Sequence, residues 1–113
     1  MHELSICNSI ADIVERHAAG RPVETIHVQV GQLRQIVPET LVYCWGLVSA
    51  ETSLAGSALT VEEIAARIAC RACGSEMEIG PFPVFVCAAC QATDVVVLSG
   101  EEFLITSLDL AEV

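Results

Sequence analysis

The sequence contains no lysine. Its only permanently charged cations are five arginines, at 16, 21, 34, 67 and 71, against 15 aspartates and glutamates. The formal net charge is −10. A surface this acidic repels phosphate backbones and anionic lipid heads, which argues against nucleic-acid and membrane-surface binding. Aromatic residues are scarce at 4%, so aliphatic side chains must fill any core. No stretch approaches the ~18 consecutive apolar residues of a membrane-spanning helix. The opening segment, MHELSICNSIADIVERH, has no basic leader and carries acids at Glu3, Asp12 and Glu15. A secretory signal is therefore not expected, and a cytoplasmic location is. There is no Ser/His/Asp order and no glycine-rich phosphate loop, so an enzyme is not expected either.

The chain has 113 residues and a hydrophobic fraction of 53%. That suits one compact domain, or one domain with a small satellite. Leu4, Ile6, Cys7, Ile10, Ala11, Ile13, Val14 and Ala18 share one half of a helical wheel, which predicts an amphipathic helix over about residues 3–19. Gly20 is a natural stop. From Val23 to Gly31 the period changes to two: Ile26, Val28 and Val30 alternate with Thr25, His27 and Gln29, as in a strand covered on one face. Val37-Pro38-Glu39 opens a second helix, with proline in the first turn and an acid at the positive end of the dipole. Leu41, Cys44, Trp45 and Val48 form its apolar face. Residues 58–68 are ambiguous between strand and helix by propensity. Glu76–Ile79 and Pro83–Val86 are expected as short strands. Val95–Leu98 and Phe103–Leu108, joined by Ser99-Gly100-Glu101, are expected as a closing hairpin.

Six cysteines in a reducing compartment suggest metal ligands before disulfides. Cys70-Arg-Ala-Cys73 and Cys87-Ala-Ala-Cys90 form two C-x2-C pairs separated by thirteen residues. Two intervening residues let a tight turn aim both sulfurs at one ion, and a hairpin of this length brings the second pair round to complete a tetrahedron. Zinc is the expected occupant, although iron uses the same four thiolates. Redox C-x-x-C pairs usually open a helix in a βαβ unit, and neither pair here does. Four protein ligands leave no open coordination position, so the expected role is structural. The half containing these cysteines, residues 51–113, is also the acidic half, with ten acids against two arginines. Four thiolates and one Zn²⁺ would take the whole chain to about −12, which points to a protein partner rather than a nucleic acid. Cys7 and Cys44 lie on the apolar helix faces and read as buried, inert thiols.

His2 is the second residue. A free Met1 amine, the His2 backbone nitrogen and the His2 imidazole can form fused chelate rings around one ion, with the Glu3 nitrogen or carboxylate completing the set. Such a planar, nitrogen-rich set suits Ni(II) or Cu(II) and not zinc. The amine pKa of ~7.7–8.0 makes its deprotonation cheap near neutrality. His17 reads as a capping or core-edge residue, His27 as solvated on a polar strand face, and Glu39 as a helix-dipole residue before a ligand.

MHELSI at the N-terminus, VQVGQL ending the first strand, VPETL, the double C-x2-C and GEEFLITSLDL at the end resemble the HypA/HybF family of hydrogenase nickel-incorporation proteins, over essentially the whole chain. The resemblance implies an α+β fold: two helices on a small three-stranded sheet, with an inserted zinc-ribbon-like domain. It makes residues 58–68 strand. Residues 1–66 plus 96–113 would form a nickel-binding domain, and 67–95 the zinc-binding insert. It further implies a nickel metallochaperone for [NiFe] hydrogenase, with transient Ni²⁺ at His2 and Glu3, helped by the Met1 amine, and structural Zn²⁺ at Cys70, Cys73, Cys87 and Cys90. Glu39 is the nearest candidate for a further acid ligand. The implied partners are a HypB-type GTPase and the hydrogenase large subunit, and a homodimer is compatible with the sequence. The alternative is a zinc-ribbon adaptor that binds a protein partner and carries no second metal.

Overall fold

The computed structural model describes residues 2–81 and 84–111. Helix α1 spans His2–Ala18, followed by strand β1 (Val23–Gly31), a 3-10 turn (Gln32–Arg34) and helix α2 (Pro38–Ser49). Strands β2 (Ala58–Ile64), β3 (Arg67–Cys70), β4 (Glu76–Glu78), β5 (Val95–Ser99) and β6 (Phe103–Leu110) complete the order. The strands form two sheets, ordered β2-β1-β6 and β4-β3-β5. The chain divides into two compact units, each assembled from separated stretches of sequence.

The first unit comprises residues 1–29, 36–62 and 104–113. The α1 stripe Cys7, Ile10, Ala11, Val14 and Ala18 is buried, as helical spacing requires. Ile13, placed on the same arc by the sequence, and His17, expected at a cap or the core edge, are exposed. The arc is therefore narrower than half the wheel, and the His17 ring turns back to the Ile13 carbonyl at 2.9 Å. In β1, Ile26 and Val28 are buried and their neighbours are half-buried, which is the alternation of a one-faced strand. Helix α2 packs on α1 and buries Leu41, Cys44 and Trp45. The Cys7 thiol points at the Leu41 carbonyl, 3.5 Å away, and burial pushes its pKa up to about 11. Trp45 resolves its indole N–H on the Ser57 hydroxyl at 3.1 Å, so the largest buried side chain leaves no polar atom stranded.

The second unit comprises residues 30–35 and 63–103. Strand β3 pairs antiparallel with β4 (Ile68 opposite Met77) and with β5 (Ile68 opposite Val97). Ala66, Ile68 and Ile79 form its core, with Leu33, Met77, Val95 and Val97 packed against them. The Gln32 side chain holds two backbone segments at once, donating to the Gly80 carbonyl at 2.9 Å and accepting from the Ala66 N–H at 2.9 Å. Gly31 lies so close to the Gly100 backbone that a Cβ at 31 would sit 2.0 Å from the Gly100 oxygen. Gly100 itself has φ +111°. Alanine at 31 must push backbone rather than a flexible side chain. Gly31→Ala is expected to cost about 3 kcal/mol, at the upper end of ordinary overpacking, read as a lowered denaturant midpoint with unchanged slope.

Two expectations are corrected here. Val95–Ser99 and Phe103–Leu110 do not form a hairpin, because β5 pairs with β3 and β6 belongs with β1. The turn at Gly100 redirects the chain from one sheet to another. Val84–Val86 lie outside any strand, and Pro83 lies outside the described residues. Prolines at 81 and 83 have no N–H to give a ladder, which removes the pairing that a strand there would need. The ambiguous 58–68 segment is strand, broken at Ala65-Ala66 into β2 and β3.

Candidate metal centre

Each C-x2-C pair is built by the same backbone device. In the first, the Cys70 N–H donates to the Ser75 carbonyl at 2.8 Å and the Gly74 N–H donates to the Cys70 carbonyl at 2.9 Å. In the second, the Cys87 N–H donates to the Ala92 carbonyl at 2.9 Å and the Gln91 N–H to the Cys87 carbonyl at 2.8 Å. Both turns close through a left-handed residue, Gly74 at φ +80° and Gln91 at φ +63°. Glycine adopts that conformation freely, and glutamine does so at a cost of about 1 kcal/mol. Gln91→Gly is therefore expected to be neutral or to stabilise by up to about 1 kcal/mol, whereas Gly74→Ala destabilises by about 1 kcal/mol. Paired chemical denaturation of the metal-loaded proteins reads the opposite signs.

The two turns bring four sulfurs together. All four lie within 4.8 Å of one another. The Cys70–Cys90 and Cys73–Cys87 sulfur pairs are each 3.6 Å apart. A tetrahedron of sulfurs about 2.3 Å from a central zinc has edges of about 3.8 Å, so the cage has the size of a zinc site. The separation is far beyond an S–S bond, and all six cysteines are free. Cys70 and Cys87 are buried while Cys73 and Cys90 face solvent.

The electrostatics also call for a cation. Hydrogen bonds from the Ser75 hydroxyl and N–H, with help from Cys87, bring the Cys73 thiol down to about 6. At Cys90 the Ala92 N–H favours the thiolate. The crowding Cys70, Cys87 and Cys73 sulfurs outweigh it and push the thiol up to about 12. The Cys73 thiolate forms readily, and Cys90 resists ionising until a positive ion joins the cluster. Ser75 is a contributor that the sequence reading passed over; a hydroxyl two residues past the knuckle is the signal that was there.

Among the described residues this is the one grouping of three or more histidine, cysteine or acidic side chains placed to share an ion. Glu39 and His17 join no such group. His2 and Glu3 are brought together, with His2 Nε2 3.4 Å from Glu3 Oε2. His2 is exposed, but Glu3 is buried, which nothing in its place at a helix start foretold. Its carboxylate is held below the usual range by its own backbone N–H first, and also by the Val37 N–H and the adjacent His2. Val37 is the residue that opens α2, so Glu3 ties the start of one helix to the start of the other. The Met1 amine lies outside the described residues.

An α+β scaffold with a four-thiolate cage and no helix long and apolar enough to cross a membrane, among the described residues, defines a small metal-handling protein. A family described as "Hydrogenase/urease nickel incorporation, metallochaperone, hypA" matches residues 1–110. The chain belongs to this HypA family. The hydrogenase maturation factor HypA of Chlorobium limicola is 40% identical over 116 aligned positions, covering 99% of this chain and 98% of the relative. That of Geobacter metallireducens is 35% identical, covering 97% and 99%. The solution structure of the nickel metallochaperone HypA from Helicobacter pylori shares the fold at a TM-score of 0.65 and 20% identity, covering 96% of each chain.

Proposed function

We propose that this chain is a nickel carrier for the maturation of [NiFe] hydrogenase, loading Ni²⁺ at Met1-His2-Glu3 and holding structural Zn²⁺ at Cys70, Cys73, Cys87 and Cys90. The observation that carries the nickel half is the pairing of His2 Nε2 with the buried Glu3 carboxylate at 3.4 Å. It leaves Nδ1 for the ion. Nδ1 is the ring nitrogen that closes a six-membered chelate with the residue's own backbone nitrogen. A carboxylate on the far ring nitrogen is the usual way to fix a histidine ligand's orientation and raise its basicity. Backbone nitrogens can serve because the first turn of a helix has no intrahelical acceptor for its N–H groups. Glu3 then contributes its backbone nitrogen as donor and its carboxylate as a positioning group. Open, exposed ligation lets the cargo leave again.

Zinc supplies a cross-link between the two knuckles, and with four thiolates it keeps no position for substrate. Delivery then rests on partners. The chain has no nucleotide-binding motif, so a HypB-type GTPase would supply hydrolysis and the hydrogenase large subunit would receive the ion. Elemental analysis and nickel titration of protein with its native N-terminus test the proposal. The expected result is one zinc as isolated and one added nickel with the diamagnetic spectrum of a planar site. Zinc without any nickel site would leave an adaptor instead, and iron at the cysteines would overturn the zinc assignment.

A further inference from the structure

Among the described residues, the second sheet has an open edge at β4, whose one partner there is β3. The Cys70 N–H bonds to the Ser75 carbonyl and the Ile79 N–H to the Ala66 carbonyl, so the odd-numbered residues of this segment face β3. By the period of two, Glu76 and Glu78 turn their backbone N–H and C=O groups outward, to the unpaired side. The side chains alternate as well. Met77 lines an apolar groove of about 330 Å³ together with Ile68, Ile79, Val84, Val86 and Ala88. Val84 and Val86 are exposed at 59% and 37%. Glu76 takes no part in the groove, whereas Glu78 borders it. Glu78 forms no ion pair among the described residues, and Arg67 reaches Glu76 only at 3.8 Å across solvent.

We propose that this edge captures an extended segment of a protein partner in which apolar and basic residues alternate. Added to β4 as a fourth strand, such a segment bonds the outward backbone groups of Glu76 and Glu78. Its apolar side chains enter the groove beside Met77, and its lysines or arginines pair with the two glutamates, Glu78 bordering the groove and Glu76 outside it. The adaptable thioether of Met77 suits a wall that must accept more than one apolar shape. A second copy of this chain is a poor occupant. It has no lysine, and its own β4 would set carboxylates against carboxylates.

The test uses the zinc-loaded full chain, isotopically labelled, titrated with the capped peptide Lys-Val-Arg-Val-Lys-Val. The controls are a block-scrambled peptide of the same composition and a glutamate-alternating peptide. The amides of residues 76–79 and the Met77 and Val86 methyls should shift with the first peptide alone. Glu76→Lys with Glu78→Lys should weaken binding at least about tenfold, as two cross-strand charge pairs turn repulsive. Glu78→Pro should do the same by removing an outward N–H without touching the β3 ladder. Zinc content and amide dispersion verify folding, and if the proline variant fails there the lysine pair still decides. Equal binding of scrambled peptide, shifts elsewhere, or unchanged affinity in the lysine variant would overturn the proposal. Groove shifts that depend on protein concentration without peptide would also overturn it, by naming a second copy as the occupant.

Discussion

His2→Ala should abolish nickel binding, with a loss beyond about 100-fold, while zinc content and thermal unfolding stay as in the parent. The size follows from the lesser case: removing even an outer partner of a metal ligand typically costs about 10–100-fold. The selectivity follows from placement. His2 is exposed, so its truncation opens no cavity, and the cysteine cage draws on none of its atoms. Residues added before Met1 should reproduce the loss, because the amine becomes an amide. Glu3→Gln should fall between, at about 10–100-fold, since the backbone donor survives and only the carboxylate that steadies the His2 ring is gone. Affinity should fall on acidification in the parent, because every donor in the set must surrender a proton to the ion. Isothermal titration with Ni²⁺ on the four proteins decides it. If all bind alike, the cargo site is elsewhere, and Glu39, His17 and His27 are the next residues to change.

Cys87→Ser should cost the zinc and, with it, the second sheet. Cys87 is wholly buried, and among the described residues the buried apolar cluster of the unit that holds it is small, Ala66, Ile68 and Ile79. A unit this small seldom stands on such a core alone. Structural zinc contributes on the order of 10–16 kcal/mol to folding at neutral pH, comparable to the whole stability of a domain. Helix α1 has its own buried stripe and should keep its circular dichroism. The same loss should occur in the parent as pH falls. Binding an ion requires four thiolates, and Cys90 in particular must give up a proton held up to about 12 in the bare cluster. Protons therefore win progressively in acid, and zinc is retained toward neutrality. A chromogenic chelator follows release across pH, beside amide NMR of β3–β5. Retained zinc in Cys87→Ser, or melted α1 with intact β3–β5, would contradict this account.

Local rules carried much of this fold. The strand at Val23–Gly31 is where period two put it, because a sheet covered on one face stamps its alternation on the sequence. The α1 stripe was legible for the same reason at period 3.6. What failed was pairing at a distance. The segment Ser99-Gly100-Glu101 has the chemistry of a hairpin turn, yet Gly100 also meets Gly31 and Ala66, and those contacts cannot be read from neighbours in sequence. Glu3 reads in the sequence as a nickel donor beside His2, with no sign that it is buried. Its burial comes from α2, thirty-odd positions on, whose Val37 N–H it receives. The cysteine cage was legible because two identical turns, each needing one left-handed residue, recur at a fixed spacing. The second uses Gln91 where glycine is usual, so the spacing carried the reading there rather than the residue.

Each compact unit is stitched from stretches far apart in the chain, with residues 30–35 belonging to the second and residues 104–113 to the first. On the ribosome, the helix bearing His2 emerges before the strands, yet its sheet lacks an edge strand until β6 has been made. Neither unit can close early, and the long loops that must be brought together favour slow folding. The thiols of the knuckles stand complete well before β6 is available, so metal can enter the ribbon while the rest of the chain is still being synthesised.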